Sequence, residues 1–426
     1  MNTTAPAAPQ DHDEEPHAMS EALMTDPYGG YGRLREQAPV VRGRYLDGTP
    51  TWFVTRYEDV RALLLDRRLV NTPASVPGME DKDPRIKMMD MLAIPEELRP
   101  YLMGSMLDTD PPEHTRLRRR VLREFTARRV LNLRSQVESF TKRLLDALPE
   151  HAEDGVVDLL AHYAYPLSIQ VICDLVGVPE SERSMWQQWG DDLITMRPER
   201  LATSFPAMIE HTHELIVRRR GDLGDDLLSG LIRGQEDPEA RISDEEIVTF
   251  VVTLVLAGHE TTAHTITNGT AALLAHPDQL AYLRSEPEAL PGAVHELMRW
   301  CGPVHTSRLR YASEDMEVAG TLIPRGDAVL LCFVSANYDP RRYPDPDRLD
   351  LRRQQSGQAE SHVGFGHGIH YCLGASLARL EAEVAFGALF ERFPGLRLAV
   401  DPQELERRER LQLPGHWRLS RLPVRL

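Results

Sequence analysis

The sequence predicts a mainly α-helical fold with a small β region, and three observations carry that expectation. From Val130 to Gly230 apolar residues recur at helical spacing in one segment after another, without a fixed repeat. Ser243-Asp244-Glu245-Glu246 reads as a capping box, in which the Ser accepts from the third amide and Glu246 bonds back. The helix it opens runs to about Ala275, ahead of His276-Pro277. Leu373, Leu377, Leu380, Val384 and Leu389 mark one more long helix near the C-terminus. Strand signals are confined to Val40–Thr55, alternating about an Asp47-Gly48 turn, and to Pro303–Phe333.

In chain order, residues 1–26 are acidic and rich in Ala, Pro and Thr and read as a flexible tail, with residues 27–426 as one domain. Tyr31–Glu36 and Tyr57–Leu65 are short helices. Asp66–Asp110 is long, irregular and proline-punctuated, the character of a lid or binding loop. It carries Met79, Met88, Met89, Met91, Met103 and Met106, and flexible thioethers suit an adaptable apolar wall as well as ordinary packing.

A formal charge of −16 over 426 residues with 42% hydrophobic content describes an acidic globular protein and excludes a nucleic-acid binder. Lys82, Lys87 and Lys142 are the only lysines among 49 basic residues, so arginine identity alone carries little weight. Cys173, Cys301, Cys332 and Cys372 form no CxxC pair, which argues against a zinc site or a disulfide framework and for a reducing compartment. The N-terminus has no basic start followed by an apolar run, and Ile247–Gly258 is shorter than the ~20 residues of a membrane span. A cytoplasmic protein without a membrane anchor is expected.

The most informative stretch is FGHGIHYCLGA, Phe365–Ala375. Gly366, Gly368 and Gly374 permit a tight backbone and close approach to a ligand. Cys372 stands where a helix begins, and the amides and dipole there favour a charged sulfur. An isolated cysteine is ordinarily a small buried hydrophobe. The pattern FxxGxxxCxG, met by Phe365, Gly368, Cys372 and Gly374, resembles the haem-thiolate loop of the cytochrome P450 family, soluble bacterial type. The resemblance implies haem b, an iron ligand at Cys372 whose electron donation favours O–O cleavage, and a propionate contact at His370. It places the haem between the long Ser243 helix and the helix after Cys372.

Further motifs follow the family's order from about Tyr28 to the C-terminus. In AGHETT, Gly258 is costly inside a helix, and Thr261 can turn its hydroxyl onto the Ala257 carbonyl. Glu260-Thr261 resembles the acid-alcohol pair that positions dioxygen, the cosubstrate, and relays protons. Glu296 and Arg299 lie on one helix face and resemble the ExxR pair, with Arg348 of YPDPDRLDL as the third, structural member. His114 and Arg118 of HTRLR, and Arg310 ahead of Asp315, match propionate-binding positions. The other arginines of that run, Arg116, Arg119, Arg120, Arg123, Arg128 and Arg129, would offer a docking face to an acidic ferredoxin. The break around Met196–Phe205 would join two helices that roof the pocket. Substrate-facing positions would be Met88, Met89, Met103, Met106, Leu254, Ala257, Gly258, Val304, His305, Thr306 and Leu413. Tyr338 in ANYDP stands where relatives often carry Arg, which bears on a surface contact.

The expected function is monooxygenation of a bulky apolar small molecule, such as a polyketide or macrolide, by hydroxylation or epoxidation. Peroxide-driven oxidation, oxidative coupling and a non-catalytic haem sensor are the alternatives, and Glu260-Thr261 argues against the first. No GxGxxG nucleotide segment is present, so electrons are expected from a separate ferredoxin and ferredoxin reductase.

Overall fold

The computed structural model describes residues 17–426 apart from 19, 81, 196, 237–240 and 355–358. One helix organises it. Asp244–Ala275 starts at the expected capping box: Ser243 Oγ accepts the Glu246 N–H at 3.1 Å, and Glu246 Oε2 accepts the Ser243 N–H at 2.8 Å. Its most apolar window is long and apolar enough to cross a membrane, with mean hydropathy 1.2, but 72% of that window is buried in protein. It is a core helix, and the helices Tyr165–Val176, Leu290–Cys301 and Ala375–Arg392 pack against it. A single large apolar core surrounds it, with smaller clusters under the β region.

That β region is a five-stranded sheet in the order Val40–Arg44, Pro50–Val54, Ala328–Leu331, Arg310–Ala312, Leu69–Val70. The expected hairpin forms, with Val41 opposite Phe53 and Gly48 at φ 83° in its turn. Pro50–Val54 runs parallel to Ala328–Leu331, so segments distant in sequence close the sheet.

Three expectations change. The loose tail is only partly testable, since residues 1–16 and 19 lie outside the described residues. Its remainder is structured: Glu21–Thr25 is helical, Ala18 and Leu23 are buried, and Arg410 donates to the carbonyls of Met24 and Thr25. The segment Asp66–Asp110 holds two helices, Pro84–Met91 and Pro100–Met103. Asp83 caps the first by accepting from the Arg85 N–H at 2.9 Å, and Asp110 ties the segment's ends by accepting from the amides of Asn71 and Thr72. The break at Met196 is narrow. Helices end at Thr195 and resume at Pro198, bridged by Ser204 Oγ donating to Asp192 at 2.6 Å; Met196 itself lies outside the described residues.

Tyr338 is buried rather than at the surface, donating to the Trp300 carbonyl at 2.6 Å beneath the Arg299 guanidinium. His305 is buried too, stacked on Trp417 at 5.9 Å and edge-on to Tyr28 at 5.5 Å.

Burial holds His259, His264 and His305 neutral, pushing them down to about 4, 3 and 3 from an ordinary 6.5. A histidine depressed on folding takes up its proton only in the unfolded chain between those values, so its contribution to stability is lost as pH falls through that window, at up to about 1.4 kcal/mol per pH unit. His305→Gln removes one such site. Its thermal midpoint should fall less on acidification from neutrality than that of the wild type; parallel pH profiles would contradict the assignment.

Candidate active site

The cysteine loop closes on itself. The Cys372 N–H donates to the Phe365 carbonyl at 2.9 Å, and the Gly366 N–H to that of Val363 at 2.9 Å. Gly366 and Gly368 sit at φ 69° and 74°, in the left-handed region, and a Cβ at Gly368 would collide with the Leu64 carbonyl oxygen. Phe365 is buried beneath the loop. Gly374 is not in the left-handed region: its φ is −84°, and a Cβ there would meet no protein atom within 4 Å. Its contribution is the N–H it offers the Cys372 sulfur while capping Ala375–Arg392.

Cys372 is the exposed cysteine; Cys173, Cys301 and Cys332 are buried, the first two with thiols pushed up to about 12. Although a small molecule can reach its sulfur, Cys372 lies deep in protein, and that burial pushes its thiol up. The Gly374 N–H and the Arg118 charge pull the other way. The helix mouth thus acts in the expected direction but does not win. A cation bonded to the sulfur would remove the proton outright.

Beside the loop, four predicted residues come together. His114 and His370 have ring centroids 4.1 Å apart. Arg118 donates to the Tyr371 carbonyl at 2.5 Å, and its charge and that of Arg310 act on His370. Arg310 is buried in its strand and pushed down to about 10 by desolvation. Both ring nitrogens of His114 are buried without a hydrogen-bond partner, an arrangement that asks for a polar group to complete it. Asp110, the nearest opposing charge, is already occupied by the Asn71 and Thr72 amides. Orphaned donors and poorly compensated cations around an accessible thiol fit a flat cofactor carrying carboxylates. Sequence reasoning missed Asn71, whose amide nitrogen lies 2.8 Å from His370 Nε2 and donates to the Leu107 carbonyl at 3.1 Å; its signal was absent because its partners lie far along the chain.

The long helix packs against the helix that follows the cysteine loop. Leu254, Ala257, Gly258 and Thr261 form a stripe of accessible or half-buried positions on a mostly buried helix. Spacings of three and four put them on one face, as a cleft wall requires. Thr261 Oγ1 donates to the Ala257 carbonyl at 2.5 Å, the back-bond expected from the sequence. Glu260 is buried, with its Oε1 2.5 Å from Arg418 Nη1. Among the other expected pocket positions, Met89 and Met106 are packed into the main core, and His305 faces the Tyr28–Trp417 cluster because its ring stacks there. Met88 and Leu413 are exposed, Met103, Val304 and Thr306 half-buried.

The ExxR network forms with one change. Arg299 Nε and Nη2 donate to both Glu296 oxygens at 2.7 and 2.8 Å, and Nη1 reaches the Asn337 and Pro346 carbonyls. The third arginine is Arg353, whose Nε is 3.1 Å from Glu296 Oε1. Arg348 instead offers only its carbonyl, and its side chain points outward, 65% exposed. The tight turn at Asp345, with φ 48°, leads into a meander that brings Arg353 back to Glu296. An arginine five residues on in the same run is not separable from Arg348 by spacing alone.

An accessible cysteine in a glycine loop, a cluster of buried polar groups beside it and an accessible stripe on the long helix make up the candidate site. The family model described as Cytochrome P450 matches residues 193–413. The chain is 43% identical to 6-deoxyerythronolide B hydroxylase of Saccharopolyspora erythraea over 96% of its own length and 98% of that protein's. It is 41% identical to the cytochrome P450 monooxygenase PikC of Streptomyces venezuelae, covering 96% of this chain and 93% of PikC. Among solved structures it superposes on the ligand-free P450 monooxygenase TamI with TM-score 0.84 at 39% identity, over 97% of this chain and 94% of that one. The chain belongs to the cytochrome P450 family and is a monooxygenase, with the use of haem iron and dioxygen which that family implies.

Removing one member of the Glu296 network leaves buried charge uncompensated. Glu296→Ala should cost roughly 3–5 kcal/mol in chemical denaturation, and Arg353→Ala should cost more than Arg348→Ala. The reverse order for the two arginines would restore Arg348 as the third member.

Proposed function

We propose that Cys372 ligates the iron of haem b (iron protoporphyrin IX), and that His114, Arg118, Arg310 and His370 hold its propionates. The observation that carries this reading is the accessible Cys372 sulfur beside a buried, partnerless His114 and a desolvated Arg310. The haem, when bound, supplies the activation of dioxygen. The chain's own part is to bind, orient and deliver protons. Gly366 and Gly368 hold the cysteine loop in its tight turn, the latter close against Leu64, and the Gly374 N–H would steady the sulfur. Thr261, on the cleft face, positions the oxygen to be protonated while the surrounding apolar helix keeps bulk water out, and Glu260 supplies protons from the helix's other flank. Two electrons, two protons and dioxygen place one oxygen atom in the substrate and release water.

The substrate is a bulky apolar natural product of polyketide or macrolide type, oxidised by hydroxylation or epoxidation. Support comes from the accessible stripe Leu254–Thr261 and from relatives named for 6-deoxyerythronolide B and, among solved structures, for TamI. Electrons come from a ferredoxin and its reductase in the cytoplasm. The docking face is narrower than the arginine count implies. Arg116 is tied to Glu113 and Glu246, Arg120 is buried against the Gly230 and Leu231 carbonyls, and Arg129 pairs with Glu124 and Asp225. Arg119 and Arg128 remain exposed for a partner.

Reduced wild-type protein with carbon monoxide should give a strongly red-shifted Soret band that Cys372→Ala abolishes. An ordinary haem–carbon monoxide band in fresh wild type would overturn thiolate ligation. Reversing Arg119 and Arg128 to Glu should weaken ferredoxin-driven turnover several-fold at low salt with haem content unchanged, since exposed charges act mainly on association. Kinetics that keep their wild-type salt dependence would remove this face from the docking site.

A further inference from the structure

The segment Asp66–Asp110 and the cysteine loop meet at one half-buried side chain, Asn71. Its amide nitrogen lies 2.8 Å from His370 Nε2 and donates to the Leu107 carbonyl at 3.1 Å, while its backbone N–H donates to Asp110 Oδ1 at 2.8 Å. The Leu107 contact decides which end of the amide is nitrogen, because a carbonyl oxygen can only accept. Asn71 is therefore the donor in its contact with His370.

A ring nitrogen that accepts a hydrogen bond does not carry the proton. Burial, helped by His114, Arg310 and Arg118, holds His370 down at about 3, so at neutral pH its ring has a single proton to place. With Nε2 engaged by the amide, that proton falls to Nδ1. Nδ1 stands farther from the same amide nitrogen, at 3.4 Å, and a donor cannot take its proton. The ring is half-buried, with the partnerless His114 ring 4.1 Å away and the charges of Arg118 and Arg310 acting on it. An N–H is left unspent in the pocket that gathers those cations.

We infer that Asn71 is a positioning residue for the cofactor's carboxylates: by donating to Nε2 it fixes His370 in the form protonated on Nδ1 and leaves that N–H for a propionate. This inference rests on the propionate reading given above. The opposite form would set a lone pair against an anion, and one member of the cluster would repel the group that Arg118 and Arg310 attract. Since the same amide also ties Leu107, a purely structural role for Asn71 has to be told apart from this one.

Nitrogen NMR of the reduced, carbon monoxide-bound holoenzyme, which is diamagnetic, reads the ring directly when the histidines are isotopically labelled and His370→Gln identifies the signals. His370 should carry its proton on Nδ1 in the wild type. In Asn71→Asp, which keeps the shape and puts an acceptor where the donor was, Nε2 should become protonated. A wild-type ring protonated on Nε2, or an Asp variant whose Nε2 stays bare, overturns the inference. Transfer of haem to apomyoglobin is the second readout, and it covers an Asp variant that fails to load. Asn71→Leu should lose haem several-fold faster than the wild type, yet combining it with His370→Gln should speed the loss no further, because a residue acting through His370 has nothing to act on once that ring is gone. Losses that add would make Asn71 a tie to Leu107 alone and overturn its role toward the cofactor. The underlying reading fails separately: His370→Gln losing haem as slowly as the wild type would remove the propionate contact, whichever nitrogen carries the proton.

Discussion

The constraint on which the molecule depends is that one sulfur must stay reachable in a fold that buries its other cysteines. Cys372 meets it because main-chain bonds close its loop while the packing beneath is supplied by Phe365 and not by the cysteine. The Cys372 amide is bonded to Phe365, Gly366 and Gly368 adopt conformations that side chains rarely allow, and the following helix starts at Ala375. Packing the sulfur directly would have closed it off. Around that loop the fold places rigid elements, because a ligand atom held by a mobile loop would be lost to small displacements.

Buried charge is used in two different ways. In the Glu296–Arg299–Arg353 network Glu296 Oε1 accepts from Arg299, Arg353 and the Asp350 N–H, and Arg299 also reaches backbone carbonyls of the meander, so the arrangement is rigid and structural. The Glu260–Arg418 pair has few partners and a carboxyl raised by burial to about 7. Saturation makes a fixture, and partial compensation makes a group whose charge can change.

Much of this was legible in the sequence where the determinants were local. The Ser243 capping box, the Asp47-Gly48 hairpin, the Thr261 back-bond and the Glu296–Arg299 pair are set by residues within a few positions of one another, and each forms as read. Errors arose where a side chain had a choice of distant partners. Arg353 and Arg348 occupy one run, and it is Arg353 that the Pro344, Asp345 and Arg348 carbonyls hold against Glu296. His305 sits in a segment read as facing substrate, yet an aromatic cluster from the two ends of the chain claims its ring. Arg120 reads as one of a basic row, but carbonyls of Gly230 and Leu231 bury it. Asn71 and Arg418 carried no motif because their partners, His370 and Glu260, lie far away along the chain.

The first described helix and the last strands share a mechanical fate. Arg410 clasps the carbonyls of Met24 and Thr25 and lays its guanidinium over Trp417, while its own strand holds Leu411 opposite Arg418. Arg410 thus ties Glu21–Thr25 directly to the two-stranded ribbon whose Arg418 meets the interior acid. The chain's beginning serves as an anchor for the part of its end that reaches the centre.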